Sequence, residues 1–344
     1  MNDFKNQNQN WMSWHSDFSS LANGDFPSRN TRILSEFFPK FVFKREARNF
    51  SNIRNCKGNQ PIEHKELNFI KIPPINSEIK SALFMRNWLQ NHLKNDLVCA
   101  LLHGSLGSEE IINYSDFDAL VIIRKAVIDD FERLSHVALK LHQARKYMYM
   151  QDALQHHGWF VLPEDALLAW DEFYFPLDIL RNARNLLSQN YLTLKISTSN
   201  LSSESHTGLE KILNLIERQA QHGKCLTNLY QLKSFISKIL LVPALMVQAK
   251  TGFGVFKKAS FPLGQEIMHP DAWSVIEVAT EIRANWSKVE LMGPKSLVLR
   301  PGILGSSFRR LMYPKIKDDV KDQVSKQIID RLPVFLSSAI APLE

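Results

Sequence analysis

Apolar positions along this chain follow two regimes. From about residue 76 to residue 163, short apolar runs alternate with amphipathic stretches. Beyond residue 164 a three-to-four-residue rhythm takes over. Leu97-Val-Cys-Ala-Leu-Leu-His103 is an unbroken apolar run that stops at a glycine, the pattern of a strand covered on both faces. Asp116 to Ile123 reads as a second strand. Between Pro73-Pro74 and the first strand, Asn76 is placed to cap a helix reaching about Asn95, with Ile79, Leu83, Trp88 and Leu89 near one face. Val127 to about Lys146 reads as a helix through Phe131, Leu134, Ala138, Leu141 and Ala144. Tyr147 to Asp152 is a third strand candidate, extended or paired by Trp159 to Leu162. Helices are expected over 164–171, 177–188, 208–221, 226–250, 271–286 and 318–338. Residues 1–25 read as loose or weakly helical, 45–66 as loop, and Lys195 to Ser205 as a polar link. The order predicts an α+β protein, a mixed sheet flanked by helices with a C-terminal helical domain. Its divisions are an N-terminal extension (1–75), a sheet domain (76–195) and a helical domain (196–344).

Composition adds little to this picture. With 344 residues the chain is long enough for two domains and a substantial core. Its 42 Lys and Arg against 35 Asp and Glu give a net +7, which suits a polyanionic ligand or simply solubility. Three widely spaced cysteines, Cys56, Cys99 and Cys225, make neither a zinc knuckle nor a disulfide framework, which points to a reducing compartment. The first ten residues are polar, without the apolar core of a signal peptide. The longest apolar run, Ile239 to Val247, is far short of the ~20 residues of a membrane span. The expectation is a soluble, cytoplasmic protein with no membrane partner.

The chemistry concentrates between Leu101 and Ile123. Gly104-Ser105 follows the first strand, ten residues intervene, and Asp116-Phe117-Asp118 leads into Ala119-Leu-Val-Ile-Ile123. On a strand, residues two apart share a face, roughly 6.6 Å apart along the backbone. Two bare carboxylates so close repel, and one is pushed toward protonation unless a cation lies between them. Mg²⁺ suits such a pair, because it takes a few carboxylates together with phosphate oxygens. A Gly-Ser turn offers N–H groups and a hydroxyl to a phosphate.

This segment resembles the signature of the nucleotidyltransferase superfamily, the fold of DNA polymerase beta: a hydrophobic-Gly-(Gly/Ser) turn, about ten residues, then Asp-hydrophobic-Asp. Gly104, Ser105, Asp116 and Asp118 stand at its positions, over about 25 residues of the chain. The resemblance implies a nucleotidyltransferase-like mixed sheet and transfer of a nucleoside monophosphate from a nucleoside triphosphate, such as ATP, to an acceptor hydroxyl. Pyrophosphate leaves, and two Mg²⁺ ions assist. The acceptor would be a small molecule or a protein rather than nucleic acid. It further implies a third carboxylate on a neighbouring strand, as metal ligand or base. Asp152 is the choice over Glu164 and Asp165, which read as first-turn helix acids. Lysines from the helical half would meet the triphosphate, with Lys238 and Lys257 as candidates. The alternatives are a nucleotide-binding or antitoxin-like protein that keeps the fold without chemistry, and an oligonucleotide or second-messenger synthase.

The other patterns are weaker. Gly305-Ser306 with Asp318-Asp319 mimics the motif, but adjacent acids on a strand diverge, so it reads as a helix start. His156-His157 invites zinc, yet adjacent strand residues diverge and no cysteine is near, so one histidine near Asp152 is expected to support the site's ligands or orient substrate, or else to be structural. His103 is expected to be packed. Arg309-Arg310 with Lys315 and Lys317 forms a basic patch without the aromatic spacing of a stacking platform.

Overall fold

The strands appear in the order β1 (Glu66–Ile72), β2 (Leu97–His103), β3 (Asp118–Ile123), β4 (Trp159–Pro163), β5 (Arg184–Asn185) and β6 (Leu192–Thr198) in the computed structural model, which describes residues 18–55, 66–75, 78–198, 205–221 and 226–341. A four-stranded sheet runs β4-β3-β2-β5, and β1 pairs with β6 in a separate antiparallel ribbon. β2 and β3 are antiparallel, with His103 opposite Asp118, whereas β3 and β4 are parallel. The helix Phe131–Gln151 makes the crossover between the parallel pair, as a parallel connection requires. The protein is therefore α+β with a mixed sheet and a helical C-terminal half.

The apolar runs of β2 and β3 are buried on both faces. Ala100, Leu102, Ala119, Val121 and Ile123 pack into one cluster under the helices Lys80–Leu93 and Phe131–Gln151. Leu101, Leu120 and Ile122 pack on the opposite face with Ile70, Ile72 and Ile196 of the β1–β6 ribbon. A third cluster, centred on Phe235, Ile236, Val275 and Phe335, is the core of the helical half.

Several sequence expectations change. Tyr147 to Asp152 is not a strand: the helix runs on to Gln151, because Met148 continues the stripe of Leu141 and Ala144 and is fully buried. Its last residue is tied to the helix Lys80–Leu93 by Ser81 Oγ, which donates to Gln151 Oε1 at 2.7 Å. The strand after it is β4 alone. Within the stretch expected to be loop, the helix Pro39–Asn55 lies against Phe131–Gln151. Val42, Phe43 and Ala47 are fully buried there, so residues assigned to an N-terminal extension supply core. β1, inside the same 1–75 segment, pairs along its length with β6. The expected helix over 226–250 is two, Leu229–Ile239 and Val242–Thr251, broken where Pro243 opens the second. The expected helix over 177–188 ends at Arg181 as the chain enters β5, and that over 164–171 is a short 3-10 turn, Glu164–Leu168. Asn76, Cys56, Cys225 and residues 1–17 lie outside the described residues; the helix after Pro74 begins at Lys80.

One stretch, Leu229–Thr251, is long and apolar enough to cross a membrane by length and composition alone, but 67% of its most apolar window is buried inside the protein.

Phe43 tests whether the early helices belong to the folded unit. It is fully buried, edge-on to Phe26 at 5.2 Å and tilted against His142 of the crossover helix at 5.5 Å. Phe43→Ala is expected to cost about 3–5 kcal/mol in urea unfolding, as core Phe truncations do. An extension that merely rested on the surface would lose well under 1 kcal/mol.

Candidate functional site

The site forms where β2 ends and β3 begins. Gly104 turns the chain at φ 63°, a left-handed conformation that favours glycine, and opens a single helical turn, Gly104–Gly107. A Cβ built on Gly104 would sit 2.6 Å from Asp118 Oδ2. The turn thus lies directly on the Asp118 carboxylate, and only glycine permits that approach. Among the described residues no donor or cation bonds this carboxylate. Burial, reinforced by the nearby charge of Asp116, raises its pKa to about 6 against the pull of His157, Lys257 and Lys233.

Asp116 lies just before β3, not on it as expected. The intervening Phe117 is fully buried and its backbone is held by Gln155: Phe117 N–H donates to Gln155 Oε1 at 2.8 Å, and Gln155 Nε2 donates to Phe117 O at 3.2 Å. The amide side chain thereby stands in for a sheet partner beyond the strand end.

A lysine from the helical half fills the space between two of the acids. Lys233, on the helix Leu229–Ile239, has no exposed surface. Its Nζ donates to Asp116 Oδ1 and to Asp152 Oδ2, each at 2.8 Å. Burial works against charge on all three groups. The ion pairs outweigh it for Lys233, whose pKa is raised, and for Asp116, which Lys233 chiefly holds below the usual carboxylate range. For Asp152 burial prevails over Lys233, and its pKa rises to about 6. Lys233 Nζ also lies 4.9 Å from the centroid of the Tyr114 ring, and Tyr114 Oη donates to Lys233 O at 2.7 Å.

Asp152 reaches the site by another route than expected. It is the C-cap of the crossover helix rather than a strand end, with Oδ1 accepting from Leu154 N–H at 3.1 Å and Oδ2 from Lys233. Neither oxygen is without a protein donor, so Asp152 is placed as counter-ion to Lys233. The neighbouring strand β4 brings His157 and Gly158, the residues just before Trp159, to this end of the sheet.

The two histidines do not diverge, because they precede β4 rather than lie on it. Their rings are 3.9 Å apart. His156 Nδ1 is 3.7 Å from Asp116 Oδ2. Burial, against the pull of Asp116, drives the His156 pKa down to about 3, so the ring is neutral and this approach is not an ion pair. Both its nitrogens are buried without a hydrogen-bond partner. Asp116, His156 and His157 offer ligand atoms within 4.8 Å of one another.

Of the expected phosphate lysines, one faces the site. Lys257 opens the helix Lys257–Ile267, and burial together with Arg283 lowers its pKa to about 8 while Asp118 and Asp116 pull the other way. Lys238 is held by Gln219 Oε1 at 3.0 Å and Ser234 Oγ at 2.7 Å, which leaves its ammonium engaged within the helical half. Ser105 lies in the turn on Asp118. His103 is buried, edge-on to Phe160 and Phe175, with a pKa lowered by burial to about 3. Arg309 is also buried, 3.6 Å from the Tyr149 ring centroid and bonded to the carbonyls of Val298 and Arg300, so it is no part of a basic surface. Asp318 and Asp319 open a helix.

No protein-family model matches the chain, and neither the curated proteins nor the solved structures compared with it give a match. Lys233 was legible as one of several lysines around the 226–250 segment, but its role as a buried counter-ion to two acids was not. Its signal is a lysine set among Leu232, Phe235, Ile236 and Ile239, all buried, where a charge needs a counter-ion.

Two measurements probe these electrostatics. Asp118 ionises in the unfolded chain near the ordinary carboxylate value of ~3.9, but near 6 in the folded one. Its charge therefore costs stability above about pH 6, and the cost fades as pH falls toward 4. Asp118→Asn is expected to stabilise the metal-free protein by roughly 2–3 kcal/mol at pH 7.5 and by almost nothing at pH 4; equal effects at both pH values would contradict the unpartnered carboxylate. Lys233→Met removes the cation from two buried acids and is expected to cost about 3–5 kcal/mol at pH 7.5 in urea unfolding. That loss shrinks at pH 5 as the carboxylates take up protons.

Proposed function

We propose that the chain is a metal-dependent nucleotidyltransferase that moves a nucleoside monophosphate from a nucleoside triphosphate to an acceptor hydroxyl on a small molecule or protein. The observation that carries this reading is the Asp118 carboxylate, lying without a protein donor under the Gly104 turn and beside Asp116. A half-buried acid left without a cation fits a hard divalent ion such as Mg²⁺, which takes carboxylate and phosphate oxygens together. When bound, such an ion neutralises phosphate charge and lowers the pKa of an acceptor hydroxyl.

The chain's own residues do the positioning. Asp118 and one oxygen of Asp116 are the ligands this reading needs. Lys233 keeps Asp116 ionised and fixes its orientation, and Asp152 anchors Lys233 in turn. Lys257 lies within electrostatic reach of the two acids without bonding either, so its charge would be available to triphosphate oxygens. Ser105 and the Gly104 turn would take the outer phosphate. Phosphoryl chemistry of this kind asks for orientation and charge neutralisation more than for a covalent step. The helical half, which carries Lys233 and Lys257, would supply the opposite wall and select the acceptor.

A second reading has one observation in its favour. Lys233 already places a cation on Asp116, as a nucleotide-binding protein without turnover would tolerate. Incubation with Mg²⁺, labelled nucleoside triphosphates and a panel of hydroxyl acceptors separates the two. The enzyme releases pyrophosphate and loses at least 100-fold of that rate in Asp118→Asn, while nucleotide retained with no pyrophosphate in either protein would select the binding reading.

A further inference from the structure

We infer that Asp116, His156 and His157 form a site for a borderline transition-metal ion, Zn²⁺ or a chemically similar dication, separate from any Mg²⁺ held at Asp118. The site stands on donor geometry and does not depend on nucleotide transfer.

The first ground is the state of His156. Its side chain is only 8% exposed, yet neither ring nitrogen has a hydrogen-bond partner. Buried polar atoms left unpaired are destabilising, and native proteins rarely keep two on one ring without a use. A metal ion satisfies one nitrogen directly.

The second ground is what His156 faces. Asp116 Oδ2 is 3.7 Å from its Nδ1, and a His157 nitrogen completes a trio within 4.8 Å. Tetrahedral Zn²⁺ with bonds of ~2.0–2.1 Å spaces its ligand atoms about 3.3 Å apart. The trio therefore needs side-chain adjustments of about 1 Å or somewhat more, within reach of small rotamer changes.

The third ground is the support behind the ligands. Gln155 ties the two segments together, donating both to Phe117 O at 3.2 Å and to His157 O at 3.0 Å. One side chain thus sets the spacing between the strand end bearing Asp116 and the loop bearing the histidines. Lys233 takes Asp116 Oδ1 and leaves Oδ2 for the ion. Such outer partners orient ligands and commonly govern affinity by 10–100-fold. Two imidazoles and one carboxylate select Zn²⁺, Co²⁺, Ni²⁺ or Fe²⁺ over Mg²⁺, and three protein ligands leave a position for water or substrate.

The test uses the full chain stripped with a chelator. Calorimetric titration is expected to find one Zn²⁺ per chain, weakened no more than a few-fold by millimolar Mg²⁺, and Co²⁺ is expected to give the visible absorption of a four- or five-coordinate site. His156→Ala combined with His157→Ala lowers Zn²⁺ affinity at least 100-fold. Should that pair unfold, His157→Gln alone, expected to lose about tenfold, and the wild-type Co²⁺ spectrum decide the matter. Asp118→Asn is expected to change Zn²⁺ affinity by no more than a few-fold. Zn²⁺ bound no tighter than Mg²⁺, Zn²⁺ binding that survives in the folded double variant, or loss of Zn²⁺ in Asp118→Asn alone would each overturn the site. Pyrophosphate release in Mg²⁺ is read separately, so failure of the transferase reading leaves this result standing, and the reverse holds.

Discussion

A buried ammonium bonded to two carboxylates joins the halves of this protein. Lys233 comes from the helical core, Asp116 from the approach to β3, and Asp152 from the end of the crossover helix. Desolvating a charge costs several kcal/mol per ion, and the attraction between ions offsets that only when geometry is good and the remaining polar atoms are satisfied. Here both contacts are 2.8 Å, the second oxygen of Asp152 takes a backbone N–H, and the Tyr114 ring lies beside the ammonium. The pairing constrains more than it stabilises. It leaves Lys233 one low-energy position, and through it fixes how the helical half meets the sheet's rim.

That constraint explains why part of the site could be read in the sequence and part could not. Gly104 and Asp118 were legible because local rules govern them: a turn after a buried strand, and an acid opening the next one in antiparallel register with His103. Asp116 was legible as a site residue but not in its setting, since its partner lies 117 residues away. Asp152 was legible only by its order in the chain. Alternation in Tyr147 to Met150 imitates a strand, whereas burial of Met148 against the core keeps the segment helical. The early helices were missed because Val42, Phe43 and Ala47 sit among many charges, and their apolar stripe has meaning only beside the helix it covers.

The acids at the rim are not equivalent, and the difference comes from partners rather than depth. Asp116 is held ionised by a neighbouring ammonium, while Asp118, two residues on, has a pKa raised to about 6. A sheet selected for stability alone would place an amide or an apolar residue under the Gly104 turn. A glycine whose missing Cβ makes room for a carboxylate of raised pKa is the arrangement the proposed cation site requires.

Asp116 stands between two kinds of demand. Its Oδ1 belongs to Lys233 and its Oδ2 faces the His156 imidazole, so a soft-leaning ion on the histidine side and a hard ion on the Asp118 side would meet different donors along one short stretch of chain. Hard ions prefer oxygen and keep their water, while borderline ions prefer nitrogen. A lysine fixed on the shared carboxylate limits how much further charge that oxygen pair can neutralise. Two cations at this rim would therefore be coupled through Asp116, each weakening the other's hold on it, and Lys233 sets the strength of that coupling because it is the main partner that keeps the carboxylate ionised and oriented in the absence of either.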